Sequence, residues 1–283
     1  MAGRRAEGVV SDLRDITLRS APALLLVVLG EFVLPHDEPV WSATLMRALA
    51  DLDVEPTAAR KAIQRTTERG VVAAEKDGRR VRITLTDAGR RLLNAGGERV
   101  FGFTGESRDW DGRWLALTLT VPETHRHLRH HLRTRLTWAG LGSPTAGLWV
   151  TPHTARADEV AHIVDDLGLS DLAFSHVGAF GPVGDERRMV EQAWDLDDLA
   201  GHYADFLHRF RRLRADDARA AFRQRVELVQ AWRRFPYLDP ALPARLSRPT
   251  WIGVEAAGFL HHTRSAWAPG SDEHWARLGQ PVT

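Results

Sequence analysis

Cysteine is absent from the 283 residues, and lysine (Lys61, Lys76) and tyrosine each occur only twice. Without cysteine there is no disulfide framework, no thiolate metal site and no thiol nucleophile. A chain built without them fits a reducing compartment, so a cytoplasmic location is expected. The shortage of lysine puts nearly all positive charge on arginine, so clusters of arginine carry information and single ones do not. No long apolar run is present either. Ala21–Leu34 is interrupted by Gly30 and Glu31, falls short of the roughly 20 residues that span a bilayer, and lacks the cleavage site of a secretory leader. It reads as a buried helix, and no membrane partner is expected. A Gly-rich phosphate loop, a nucleophile elbow and the spacing of a catalytic triad are all missing, so the chain does not read as an enzyme.

What the chain does have is one concentrated basic stretch. Residues 56–91 hold ten Lys/Arg against four Asp/Glu, a net +6 within a total of +1. A basic module on a mildly acidic body is the charge distribution of a protein that lays one surface on a polyanion. The length predicts two or three domains, and 43% hydrophobic residues are enough for packed cores.

The elements around that stretch predict a winged helix-turn-helix over 20–91, preceded by a flexible arm, 1–19. Ser20 can cap a helix with Pro22 in its first turn, and Leu25, Val28, Leu29 and Phe32 follow at helical spacing. Pro35 and Pro39 bound a loop, Val40-Trp41 is a short extended piece, and Ser42 can cap a second helix, Ala43–Leu52. A third helix opens at Glu55-Pro56, with an acid at the positive end of the dipole and proline at the first position. It closes at Gly70. Thr57, Arg60, Lys61, Gln64 and Arg65 share one face of it; Ala59, Ala62, Ile63 and Thr66 share the other. The polar face has the donors and acceptors of a major-groove recognition helix, arginine for guanine and glutamine for adenine. The same pattern also describes an ordinary solvated helix. The next segment favours the first reading. Strands Val71–Glu75 and Val81–Thr86 flank a tight Asp77-Gly78 turn crowded by Lys76, Arg79, Arg80 and Arg82, and four cations around one turn repel each other unless an anion is near. The candidate DNA-binding residues are therefore Ser42, the five of the helix face and the four of the hairpin, with double-stranded DNA as partner.

Ala88–Val100 extends as a helix into a Gly-rich linker, 92–109. A central domain, 110–184, then shows the order β-α-β-β-α-β: strand Arg113–Val121, helix Glu123–Leu136, a hairpin from Thr137–Leu141 to Gly147–Thr151 turning at Ser143-Pro144, helix Ala155–Leu167 and strand Leu172–Phe180. That is the split-βαβ, ferredoxin-like order. His125, His127, His130 and His131 cluster on its first helix. His127 and His131 are one turn apart, but a third ligand and a catalytic acid are missing, so a solvated face is the expected reading and no metal is expected.

A C-terminal helical domain, 190–283, completes an α+β multidomain chain. Leu196, Leu199, Tyr203, Phe206, Leu207, Phe210 and Leu213 form an amphipathic stripe, and Asp195, Asp197 and Asp198 suit the N-terminal end of its dipole. A helix over Asp217–Arg234 buries Phe222, Val226, Val229 and Trp232, and another runs over Trp251–Trp267. Arg211, Arg212, Arg214, Arg233 and Arg234 end two of these helices. They pair favourably with helix C-termini; the sharper alternative is a phosphate-binding rim for an anionic effector.

Several stretches together resemble the PaaX-type repressors of phenylacetic acid catabolism. They are Leu29-Gly30-Glu31-Phe32-Val33-Leu34-Pro35, Val40-Trp41-Ser42, Ala58-Ala59-Arg60-Lys61-Ala62, Gly78-Arg79-Arg80 and, most specific, Ala231-Trp232-Arg233-Arg234-Phe235-Pro236-Tyr237-Leu238-Asp239-Pro240-Ala241-Leu242-Pro243. The resemblance covers roughly 20–265. It implies a homodimer that binds a palindromic operator and is released by an acyl- or aryl-CoA thioester, with no bound cofactor. Thr66 and Val71 depart from the family pattern, which has an apolar residue and Trp there. The ferredoxin-like order also occurs in the small nucleases of CRISPR spacer integration, which makes a metal-dependent nucleic-acid-processing enzyme the alternative; the resembling enzymes end the first strand on Asp, where this chain has Thr118-Leu119-Thr120-Val121-Pro122.

Overall fold

The computed structural model describes residues 20–105 and 110–280; the expected arm, 1–19, lies outside them. The architecture is mixed α+β with two antiparallel sheets, one of three strands and one of four. Two compact units divide the chain, one drawn from 1–102, 208–233 and 258–283, the other from 103–207 and 234–257. Residues of the expected C-terminal segment, 190–283, are thus shared between the two.

In the first unit, Ser20 accepts a hydrogen bond from the Ala23 amide and caps α1 (Ala21–Val28). A π-helical turn, Leu29–Val33, continues it. The apolar run is buried along nearly its whole length, as expected of a buried helix. β1 (Val40–Trp41), α2 (Ser42–Asp51) and α3 (Pro56–Glu68) follow, then β2 (Val72–Asp77), β3 (Arg80–Leu85) and α4 (Asp87–Phe101). Trp41 occupies the cap position of α2, so Ser42 is its first helical residue rather than its cap. The sheet runs in the order β1-β3-β2. Asp77 pairs with Arg80, which leaves Gly78 and Arg79 as the loop. The turn therefore falls one residue later than Asp77-Gly78. Gly78, at φ 60°, supplies the positive φ that a two-residue hairpin loop needs at its first position.

The inner faces of α1, α2, α3 and the hairpin close one core with Phe222, Val226 and Val229 of the helix Ala218–Trp232. Inside it, Glu31 of the π turn is almost fully buried. Arg225 of the helix Ala218–Trp232 donates to it at 2.8 Å, and Arg264 of a long helix, Ile252–Gly279, donates at 2.8 and 3.0 Å. Arg225 also reaches Asp272, at 2.9 Å, and lies over the Phe32 ring. That last helix outruns the expected Trp251–Trp267. The Ala-Pro-Gly-Ser stretch from Ala268 reads as a breaker, yet Gly270 packs so near Ala221 that a side chain there would crowd it, and the Ser271 hydroxyl donates to the Trp267 carbonyl. Close packing keeps the helix going through Pro269.

The second unit carries β4 (Arg113–Leu119), α5 (Leu128–Trp138), β5 (Gly142–Thr145), β6 (Leu148–Thr151), α6 (Ala157–Asp166) and β7 (Ala173–Ala179). All neighbours in the order β5-β6-β4-β7 are antiparallel. Leu115, Leu117, Leu119 and Val121 pack with Leu132, Leu136, Val160, Ile163 and Val164 of the two helices. The opposite sheet face is covered too, because Trp114 and Val150 pack with Val190, Leu242 and Leu246. The hairpin is shifted from its expected place. α5 runs on to Trp138 and ends at Gly140 (φ 78°), so Ser143 and Pro144 lie within β5 and the turn sits at Ala146-Gly147, where Gly147 has φ 79°. Proline is tolerated there because β5 is an edge strand. Within this unit, buried Asp239 accepts hydrogen bonds from the Tyr203 hydroxyl and the Trp251 indole, both at 2.8 Å, and from the Ala241 amide at 2.7 Å. Burial raises its carboxyl above the ordinary range.

Candidate nucleic-acid interface

The sequence of α3 dictates which side it shows to solvent. Thr57, Arg60, Lys61, Gln64 and Arg65 are all exposed, whereas Ala59, Ala62, Ile63 and Thr66 are buried. Thr66 is polar in an apolar place, and it resolves the conflict by donating its hydroxyl to the Ala62 carbonyl at 2.8 Å. Gln64 donates to Glu68 one turn further on. Ala59, Ala62 and Ile63 share their core with Val72, Ile83 and Leu85 of the hairpin, so the exposed face and the hairpin are carried on one packed body.

The junction between α3 and the hairpin is tightly bonded. The Gly70 amide donates to the Thr67 carbonyl and the Val71 amide to that of Thr66, the paired closure that a left-handed glycine permits. The Thr86 hydroxyl reaches across to the Gly70 carbonyl at 2.6 Å and accepts from the Gly89 amide at 2.9 Å, capping α4. Gly89 sits against the Val71 carbonyl so closely that a Cβ would overlap it.

At the free end of the hairpin, Lys76, Arg79, Arg80 and Arg82 are all exposed. They do not share one face. Lys76 pairs with Val81, on the side of Val72, Ala74 and the buried Ile83 and Leu85, while Arg80 and Arg82 alternate onto the opposite side. Arg79 occupies the loop. On its own side, Arg82 stands opposite Trp41 in the β1–β3 register. The Arg82 and Arg80 guanidinium carbons lie 4.9 and 5.5 Å from the Trp41 ring centroid. Each such contact contributes about 0.5–1 kcal/mol at an exposed site. Arg82 also donates to Asp77 at 3.2 Å. Residue-type reasoning missed Trp41 and Asp77. The i, i+2 spacing of Arg80 and Arg82 marked a shared strand face, but only the register of β1 on β3 reveals what that face packs on. Ser42 follows Trp41 directly, half-buried at the start of α2.

Four of the five candidate effector arginines have separate local engagements. Arg214 donates to the carbonyls of Arg211 and Leu213, the helix-end pairing anticipated for this cluster. Arg211 lies over Phe259, Arg233 donates toward the Ala23 carbonyl and Gln230, and Arg212 is exposed. Arg234, assigned to the other unit, lies over the Phe235 ring, and burial lowers its guanidinium pKa. His125, His127, His130 and His131 are exposed, and Glu123 is engaged by Arg129 at 2.6 Å. No group of three or more potential metal ligands occurs among the described residues.

Three family models match the chain in order: a PaaX-like protein model over 20–89, the PaaX protein central Cas2-like domain over 107–190, and the PaaX-like protein C-terminal domain over 194–277. The chain belongs to the PaaX family. A curated relative, the Transcriptional repressor PaaX of Escherichia coli (strain K12), is 25% identical over 270 residues, which cover 89% of this chain and 82% of the relative. Among solved structures, an uncharacterized Mycobacterium tuberculosis protein shares the fold with a TM-score of 0.63 at 21% identity, covering 92% of this chain and all of its own.

Proposed function

We propose that this chain is a DNA-binding transcriptional repressor. In this reading the region from α1 to the hairpin is a winged helix-turn-helix, and α3 enters the major groove. Thr57, Arg60, Lys61, Gln64 and Arg65 contact base edges and Ser42 the adjacent backbone, while Arg79, Arg80, Arg82 and, from the opposite face of the wing, Lys76 contact phosphates. One observation carries it: the exposed polar face of α3 and the cationic hairpin rest on a single core, so they move as one rigid reading head. The family supports the repressor role, since the E. coli relative bears that name.

The protein acts as a homodimer on a palindromic operator, because a two-fold pair of reading heads matches two half-sites one helical turn apart. An acyl- or aryl-CoA thioester releases it by binding better to a dimer whose spacing no longer fits. The separate local engagements of Arg211, Arg214, Arg233 and Arg234 weigh against a ready-made effector rim. Selection of genomic fragments with the purified protein, followed by challenge with a panel of CoA thioesters, tests the whole reading. Recovery of one palindromic site, released by a single thioester, is the expected result. Indiscriminate recovery of fragments, or cleavage that depends on a divalent metal, would overturn it.

A further inference from the structure

We propose that Trp41 is a positioning residue for the wing: its indole presets the Arg80 and Arg82 guanidiniums as one pair for the phosphodiester backbone of duplex DNA, and Asp77 is the counter-ion that a phosphate displaces. This rests on the reading of the hairpin as a DNA-binding wing. Two observations converge on it. The strand register sets Trp41 opposite Arg82, and the two-residue alternation of β3 puts Arg80 on the same face. Both guanidiniums then lie within 5.5 Å of one ring centroid.

Arginine side chains lose much rotamer freedom when they are fixed on a ligand. A ring that already orders them moves that loss from binding to folding. A planar, weakly hydrated guanidinium suits the face of an indole better than a lysine ammonium does, so the arrangement favours arginine. Two like charges on one ring repel each other, and Asp77, bonded to Arg82 at 3.2 Å, offsets that repulsion. Asp77 is 59% exposed at the hairpin end. It holds Arg82 in place while remaining exchangeable for an incoming anion. Trp41 also occupies the N-cap position of α2, immediately before Ser42, without a capping hydrogen bond from its side chain.

The test uses the full chain and a random-sequence DNA duplex, with affinity followed by fluorescence anisotropy across a salt series and the melting temperature measured alongside. Trp41→Leu is expected to bind roughly tenfold more weakly, the scale of the ordering cost that two unpositioned side chains would meet on binding. Its slope of log affinity on log salt should stay close to that of wild type, because both guanidinium charges remain. Trp41→Phe, which keeps a ring, should restore most of the affinity. Arg82→Lys keeps the charge and loses the stack, and it should weaken binding roughly threefold; this variant carries the test should Trp41→Leu fail to fold. Asp77→Asn should tighten binding roughly threefold, the scale of an exposed ion pair. A folded Trp41→Leu with wild-type affinity, or an Arg82→Lys indistinguishable from wild type, overturns the positioning role and leaves the wing intact. An Asp77→Asn that binds no tighter overturns the counter-ion role. A wild-type protein with no salt-sensitive affinity for DNA overturns both this inference and the proposed function.

Discussion

Two pairs of arginines in the same compact unit meet their counter-charges in opposite ways. Arg225 and Arg264 converge on Glu31 from two helices; Arg225 and the carboxylate are sealed from water, Arg264 partly so. Arg80 and Arg82 stand on an exposed strand face and share one aromatic ring, with the exposed carboxylate of Asp77 bonded to Arg82 and Glu75 opposite Arg82 across the ladder. A guanidinium taken out of water needs a full anionic partner, because desolvation outweighs any other contact it makes. A guanidinium left in water needs none and retains charge to offer a ligand. Arginine in the buried site therefore serves folding, and arginine in the exposed site is available for binding. Composition alone assigns both pairs the same role.

The largest effect should come from the buried side of that contrast. Glu31→Ala removes the buried anion shared by two guanidiniums, leaving Arg225 with Asp272 alone, and is expected to cost about 3–5 kcal/mol, measured by denaturant unfolding; a loss below 1 kcal/mol would mean that the buried carboxylate is dispensable. Gly89→Ala drives a methyl group into the Val71 carbonyl and should cost about 1–3 kcal/mol by overpacking, with a matching drop in melting temperature. On the exposed side, Arg60→Ala should lose about 1–3 kcal/mol on the selected operator and little on random DNA, with the melting temperature unchanged; equal losses on both would remove base reading from that position. Arg80→Ala should weaken every duplex alike and flatten the salt slope by about 0.9, and an unchanged slope would exclude a phosphate contact. The smallest effect belongs to the exposed Arg212, whose replacement by alanine should stay within about 0.5 kcal/mol of wild type in stability and leave DNA affinity untouched.

How much of this was legible in the sequence follows from how far apart the partners lie. The two faces of α3 were legible because a 3.6-residue period needs no information beyond thirteen consecutive residues. The basic hairpin was legible for the same reason, since its strands adjoin. Its turn was misplaced by one residue, because Asp77-Gly78 and Gly78-Arg79 are both credible loops and the choice is made by cross-strand pairing, with Val72 opposite Leu85. The shifted central hairpin has a similar origin: Ser143-Pro144 carries a strong turn signature, but the glycines at 140 and 147 set where the chain reverses. The partners of Glu31 lie 194 and 233 residues along the chain, and nothing local marks them. Glu31 was read as an interruption in an apolar run, whereas it is the charge around which two distant helices are ordered.

The bonded junction below the hairpin has a consequence for how such proteins diversify. Thr86 and Gly70 fasten the base of the arm, and nothing in that fastening involves residues 78 and 79. Lengthening the loop there would cost little more than closure entropy, about 0.6 kcal/mol for each doubling. A hairpin of different reach or charge can therefore be carried on an unchanged foundation, without the rest of the unit having to fold anew.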